Sequence, residues 1–236
     1  MATAVQSARE RARQELVAAI KDAATRQLAE VGAAALSLRA VARELGMVSS
    51  AVYRYVPNRD ALLTLMILDA YDDLGESAER ADRRASRSGA DPGARWLAVA
   101  RAVRRWAKAN AHRWALVYGS PVPGYAAPPD TVPSALRLTQ VMVGVLRDAV
   151  ATGEVGAPER ALPGASPMSG AAREVAGSEI SAELAERGLL LVVGLVGAVS
   201  YELFGHLKGG VDDADAWFAR ATAISAEAVG LRVDVG

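Results

Sequence analysis

There is no cysteine among the 236 residues. That excludes disulfides, thiolate nucleophiles and cysteine-held zinc. Only two histidines occur, His112 and His206, and neither is followed by a ligating side chain three or four positions on. No metal site and no cofactor is therefore expected. Aromatic residues are scarce, at 5%. No run alternates apolar and polar residues as a half-buried strand must, so the fold class reads as all-α. A nucleophile elbow and a phosphate-binding loop are both missing, so no catalytic residue is assigned and the chain reads as something other than an enzyme. The longest uncharged apolar run, Gly188 to Tyr201, has 14 residues, short of the ~20 that span a bilayer. The N-terminal stretch is charged and has no apolar signal core. These two absences point to a cytoplasmic protein with no membrane partner. Formal net charge is zero, yet residues 1–60 hold nine Lys/Arg against six Asp/Glu, a mild basic tilt at one end.

What is present is helix-forming sequence divided by punctuation. The ten prolines leave long proline-free stretches rich in Ala, Leu, Arg and Glu, which favour helix. Residues 1–6 are expected to fray. A helix is expected from Ser7 to Val31, with Leu16, Ala19, Ile20, Ala23, Leu28 and Val31 as its apolar stripe. Further helices are expected at Asp60–Arg87, from Asp91-Pro92 to Ala109, at Ala111–Tyr118, at Ser134–Ala151, at Ser178–Leu207 and from Asp212 or Asp213 to Gly230. Residues 119–130, with four prolines, cannot be helix, and Gly153–Gly177 reads as a loop of low order.

The organising stretch is Ser37 to Leu63. Leu38, Val41, Ala42 and Leu45 fall on one helical face, Ser37 is placed as N-cap, and Gly46 suits a helix C-terminus. After Met47-Val48 a second, short helix is expected at about Ser50 to Tyr55, with Ser49 as its cap, Pro57 as its stop and Asn58 as the next cap. Two helices joined by a glycine turn, the second small enough to lie in a DNA groove, make a helix-turn-helix. A boundary is placed after it: 1–58 as DNA-binding head, 59–236 as ligand-binding and dimerisation body.

The long helix near the C-terminus is apolar nearly all round in its middle, so every side of it must be covered. Gly194, Gly197, Ala198 and Gly205 allow close approach of another helix. The last two helices are therefore expected to pair with those of a second copy. The body also supplies Trp96, Trp106, His112, Trp114, Tyr118, Tyr125, Met142 and Phe204. Aromatics with a few polar tips suit a pocket for a small hydrophobic or aromatic molecule.

The run 36–63, LSLRAVARELGMVSSAVYRYVPNRDALL, resembles the DNA-binding head of the tetracycline-repressor (TetR) family, with Ser37, Val41-Ala42, Gly46, Tyr53, Tyr55, Pro57 and Ala61-Leu62 in register. In the body, HRWALVYGSPVPGYAAP and the later YELFGHL resemble the subgroup with a WHG-type C-terminal domain. The resemblance implies a homodimeric transcription factor, usually a repressor, that leaves its near-palindromic operator when a ligand binds the body. Carried onto this chain, Ser49, Ser50, Ala51 and Arg54 would meet base edges or the thymine methyl. Tyr53, Tyr55 and Arg59 would meet phosphates, with Ser37 and Arg39 opening the first helix toward the backbone. Three positions depart from the family pattern: Val48 stands for a serine, Val56 for a phenylalanine, Arg59 for a lysine. Two alternatives stay open, a small all-α enzyme or ligand-binding protein, and a DNA-binding protein with no effector.

Overall fold

A computed structural model describes residues 2–156 and 163–235. Ten α-helices and no strand are present among the described residues: α1 Ala2–Val31, α2 Leu38–Glu44, α3 Ser49–Tyr53, α4 Arg59–Arg87, α5 Pro92–Ala109, α6 Ala111–Tyr118, α7 Val132–Ala151, α8 Gly170–Ala176, α9 Ala182–Leu203 and α10 Ala214–Glu227. The described residues group into two compact units. The first holds residues up to Tyr71 together with Asn110–Val132; the second holds Asp72–Ala109 and the chain from Pro133 onward. This division differs from a boundary at 58/59. Helix α4 contributes to both units, and α6 with its proline-rich sequel belongs with the head.

Where the helices differ from expectation, the causes are local. Helix α1 begins at Ala2 rather than Ser7. In α3, Val48 occupies the N-cap position and Ser49 is already helical. Helix α9 ends at Leu203, not Leu207. Gly205 takes φ +79, its N–H donating to Glu202 O, while the N–H of His206 reaches Tyr201 O. That pair of bonds is a Schellman stop, so the chain breaks before Gly209-Gly210. The segment 153–177 is not all loop: Ser169 accepts from Ala172 N at 3.2 Å and caps α8. Residues 157–162 of that expected loop lie outside the described residues.

The first unit packs around Ile20, Leu28, Leu36, Val41, Val52, Val56, Leu62 and Met66, with Leu116, Val122 and Tyr125 against them. Val56, where the family pattern has a phenylalanine, is completely buried in this core. Along α4 the buried side chains Leu62, Met66, Ala70, Leu74 and Ala78 repeat every four residues.

The second unit packs α5, α9 and α10 together. Trp96 is fully buried and donates its indole N–H to Thr222 O at 3.0 Å. Arg104 bridges α5 to α9 through both carboxylate oxygens of Glu202, at 2.6 and 2.8 Å, and to Asp215 at 2.6 Å. Arg95, 8% exposed, is held by Asp82 at 2.8 Å and Asp148 at 2.6 Å. The guanidinium of Arg104, followed by Lys108, holds the Glu202 carboxyl below its ordinary range. A lowered folded-state value contributes stability above the unfolded-chain pKa of about 4.3, and that contribution is lost as pH falls into the lowered value. Glu202→Gln is therefore expected to cost about 1–3 kcal/mol at pH 7. In urea unfolding the gap from the parent should narrow steadily between pH 5 and pH 3; a gap constant with pH would contradict the assignment.

Candidate nucleic-acid interface and ligand cavity

Helix α2 ends on a Schellman stop: Gly46, at φ +66, donates to Arg43 O, and the N–H of Met47 reaches Ala42 O at 2.9 Å. This fixes the turn and sends the chain directly into α3. Val52 is fully buried and fastens α3 to the head core. With Val52 turned inward, Ser50, Tyr53 and Arg54 face outward at i, i+3, i+4 spacing and are exposed. Ser49 and Ala51 are half-buried beside them.

The remaining candidates divide by what they already hold. Arg39 is exposed at the start of α2. Ser37 makes no side-chain cap bond; its backbone N–H reaches Gln27 Oε1 at 3.4 Å. Tyr55 is half-buried against the head core, with the Arg13 guanidinium 5.8 Å above its ring, a cation–π geometry. Arg59 donates through Nη2 to Ala33 O at 2.9 Å and Ala34 O at 3.1 Å, tying the turn after α1 to the start of α4. Asn58 caps α4 by accepting from Ala61 N at 2.8 Å. The structure thus brings Arg39, Ser50, Tyr53 and Arg54 to the surface, while Tyr55 and Arg59 also hold the head together. The ion pairs of the first unit use Lys21, Arg26 and Arg113. Arg39, Arg43 and Arg54 have no carboxylate partner among the described residues. Sequence reasoning passed over Arg43, which is exposed on α2, and the stacking role of Arg13.

The eight aromatic, histidine and methionine candidates do not converge. Four lie in the first unit. Trp114 is fully buried there, its ring 4.6 Å from that of Tyr118 and tilted by 46°; Tyr118 meets Tyr71 edge-on at 6.0 Å. Burial pushes the Tyr118 phenol above its ordinary pKa, so it stays neutral. The Tyr125 hydroxyl bonds that of Thr64 at 2.9 Å. Burial, helped by Arg113, lowers His112 below its usual value. Four lie in the second unit: Trp96 in the core, Trp106 donating to Asp73 Oδ2 at 3.0 Å, Met142 buried, and Phe204 exposed. The indole N–H groups are satisfied by acceptors far away in sequence, which is why these rings serve as core.

Of the eight, Met142 alone lines the apolar cavity of the second unit. That cavity measures about 190 Å³. Helix α7 supplies Leu136, Thr139, Met142, Val143 and Leu146; α8 and its flanks supply Met168, Ala172, Val175, Ala176 and Ile180; α9 supplies Ala185, Gly188, Leu189 and Val192. Thr139 carries the sole hydrogen-bonding side chain in that lining. The arrangement can desolvate a neutral apolar molecule and offers no charge to an ion. Apolar cavities on the order of 150 Å³ already admit benzene. The helix of its α7 wall was expected from the sequence; its α8 wall was not, because the stretch 153–177 is rich in Gly, Pro, Ala and Ser and reads as loop.

Two family profiles match the chain. Residues 20–66 match the profile described as bacterial regulatory proteins, tetR family, and residues 96–224 match the tetracyclin repressor-like C-terminal domain. The HTH-type transcriptional regulator Rv1816 of Mycobacterium tuberculosis is 46% identical over 200 residues, 83% of each chain. The crystal structure of the protein SCO4313 superposes with a TM-score of 0.70 at 34% identity, over 94% of this chain and 98% of that one. The TetR family regulator PfmR of Thermus thermophilus shares the fold, with a TM-score of 0.54 at 18% identity over 89% of this chain and 96% of that one. These names describe transcriptional regulators rather than enzymes. With both halves matched and a relative of this identity over most of its length, the chain belongs to the TetR family of transcriptional regulators.

Proposed function

We infer that the chain is a homodimeric repressor that binds a near-palindromic operator through α3 and lets go of it when a small, neutral, apolar molecule enters the α7–α8–α9 cavity. The observation that carries the DNA reading is the outward row Ser50, Tyr53, Arg54 on the short α3 and its C-cap, flanked by Arg39 and Arg43, which have no carboxylate partner among the described residues. Arg54 reads base edges, with Ser49, Ser50 and Ala51 beside it. Arg39, Ser37, Tyr53, Tyr55 and Arg59 meet phosphates. A regulator of this kind acts on DNA in the cytoplasm.

Dimerisation is supported by the outer face of α9. Leu190, Val193, Tyr201 and Phe204 are each 45–58% exposed, and Ile224 on α10 is 63% exposed. On α9 and its C-cap Phe204 these four fall on the side opposite the buried Leu184, Leu191, Leu195 and Val199. A Cβ at Gly197 would meet nothing within 4 Å, which leaves room for a second helix. A dimer sets two recognition helices about one DNA turn apart or more, ~34–36 Å or above.

Two results test the reading. Arg54→Ala should weaken operator binding by roughly 5- to 150-fold, the worth of a base contact of about 1–3 kcal/mol, with no change in melting temperature. Arg39→Ala should reduce the slope of log K against log salt by roughly 0.9; anisotropy titrations across salt read both. For the effector, Ala172→Trp fills the cavity with an indole. Neutral monocyclic aromatics and short alcohols that release operator from the parent should then fail to release it from this variant, while operator affinity without ligand stays unchanged.

A further inference from the structure

Three arginines of the second unit, Arg95 buried and Arg104 and Arg137 half-buried, are each held by two carboxylates. Arg95 has Asp82 and Asp148, Arg104 has Glu202 and Asp215, and Arg137 has Glu79 and Asp72. A cluster of exposed arginines is different. Helices α4 and α5 face each other across a groove of about 470 Å³ whose walls carry Arg80 and Arg84 from one side and Arg101 and Arg105 from the other. No acidic side chain lines it. Arg80 is paired with Glu76 at 2.5 Å; Arg84, Arg101 and Arg105 have no carboxylate partner among the described residues. A hollow that shares Arg80 and Arg84 with it adds Arg83, paired with Glu79 at 3.5 Å, and Arg87. Arg84, Arg101 and Arg105, gathered without a carboxylate of their own, repel one another unless an anion joins them.

The groove also has a shape. Its floor is Ala81, Ala85, Ala98 and Ala102, an apolar strip between two charged walls. On each wall the arginines are four residues apart, about 6 Å along a helix, a length that a chain of two or three phosphates spans. Guanidinium forks match phosphate oxygens two at a time. The alanine floor gives a flat group, such as a base, something to lie on.

We propose that the α4–α5 groove is a second ligand site, distinct from the apolar cavity, and that it takes a soluble small molecule carrying two or more linked phosphates, of the nucleoside di- or triphosphate class. The concave, alanine-floored shape favours such a ligand over the convex backbone of a duplex. The groove lies in the second unit, so the site is independent of the DNA-reading row in the first.

The test is isothermal titration of the full-length protein with inorganic tripolyphosphate and with ATP, at 50 and 200 mM salt. Expected is one site per protomer, weaker at the higher salt, with ATP at least as tight as tripolyphosphate. The exposed pair Arg84→Gln/Arg101→Gln should lower affinity at least tenfold at an unchanged melting temperature, and Arg105→Gln alone should lower it severalfold. Arg54→Ala should leave it unchanged. No binding, or equal binding by the double variant, would overturn the proposal. It is equally overturned if random-sequence duplex binds and loses affinity in the double variant while tripolyphosphate neither binds nor competes; the groove would then be a nucleic-acid surface.

Discussion

Helix α9 carries apolar side chains on two opposite sides, and one chain covers only one of them. Leu184, Leu191, Leu195 and Val199 are buried within the second unit, while Leu190, Val193, Tyr201 and Phe204 stand in solvent. A monomer that left this row bare would expose a contiguous apolar patch of the kind that marks an interaction site. The Arg104–Glu202 bridge holds α9 on α5, and α9 ends at Leu203, with Phe204 as its C-cap and the Schellman stop at Gly205 directly after it. A second copy on that row would give the DNA-reading head a symmetric partner, which a palindromic operator requires.

Chemistry in the second unit is separated by polarity. The cavity between α7, α8 and α9 offers one hydroxyl, that of Thr139, and no charge. The groove between α4 and α5 offers four guanidiniums and no carboxylate. A ligand that suits one is rejected by the other, because an ion loses its hydration in the first and an apolar molecule finds little to bury it in the second. Two inputs of opposite chemistry could thus act on one regulator without competing.

The head was legible in the sequence because its determinants are local. Gly46 needs φ above zero, Val41 and Val52 need burial, and each acts within a few residues of its own position. The resemblance to the TetR family is read chiefly from the same stretch. The body was legible only as helices. Trp96 and Trp106 look like pocket rings until the structure shows their N–H groups bonded to Thr222 and Asp73, partners that no period in the sequence reveals. Trp114, Tyr118 and Tyr125 belong with the head unit for the same reason: the contacts that place them, to Tyr71 and Thr64, come from α4. Helix α8 was missed because Gly, Ala and Ser carry no hydrophobic rhythm, although Ser169 was in place as its cap. The arginine groove was hidden because its walls come from two helices; along either one, the charges look like an ordinary solvated face.

The most direct measurement is analytical ultracentrifugation of the full-length protein, parent and Val193→Glu, alone and with labelled DNA from upstream of its own gene. The parent is expected to be a dimer and to form a complex of two protomers per duplex that survives excess random DNA. Val193→Glu is expected to be a folded monomer with operator affinity reduced at least tenfold, since a buried unpaired carboxylate breaks the interface. A parent that sediments as a monomer and binds one protomer per duplex, with Val193→Glu no different, would contradict it.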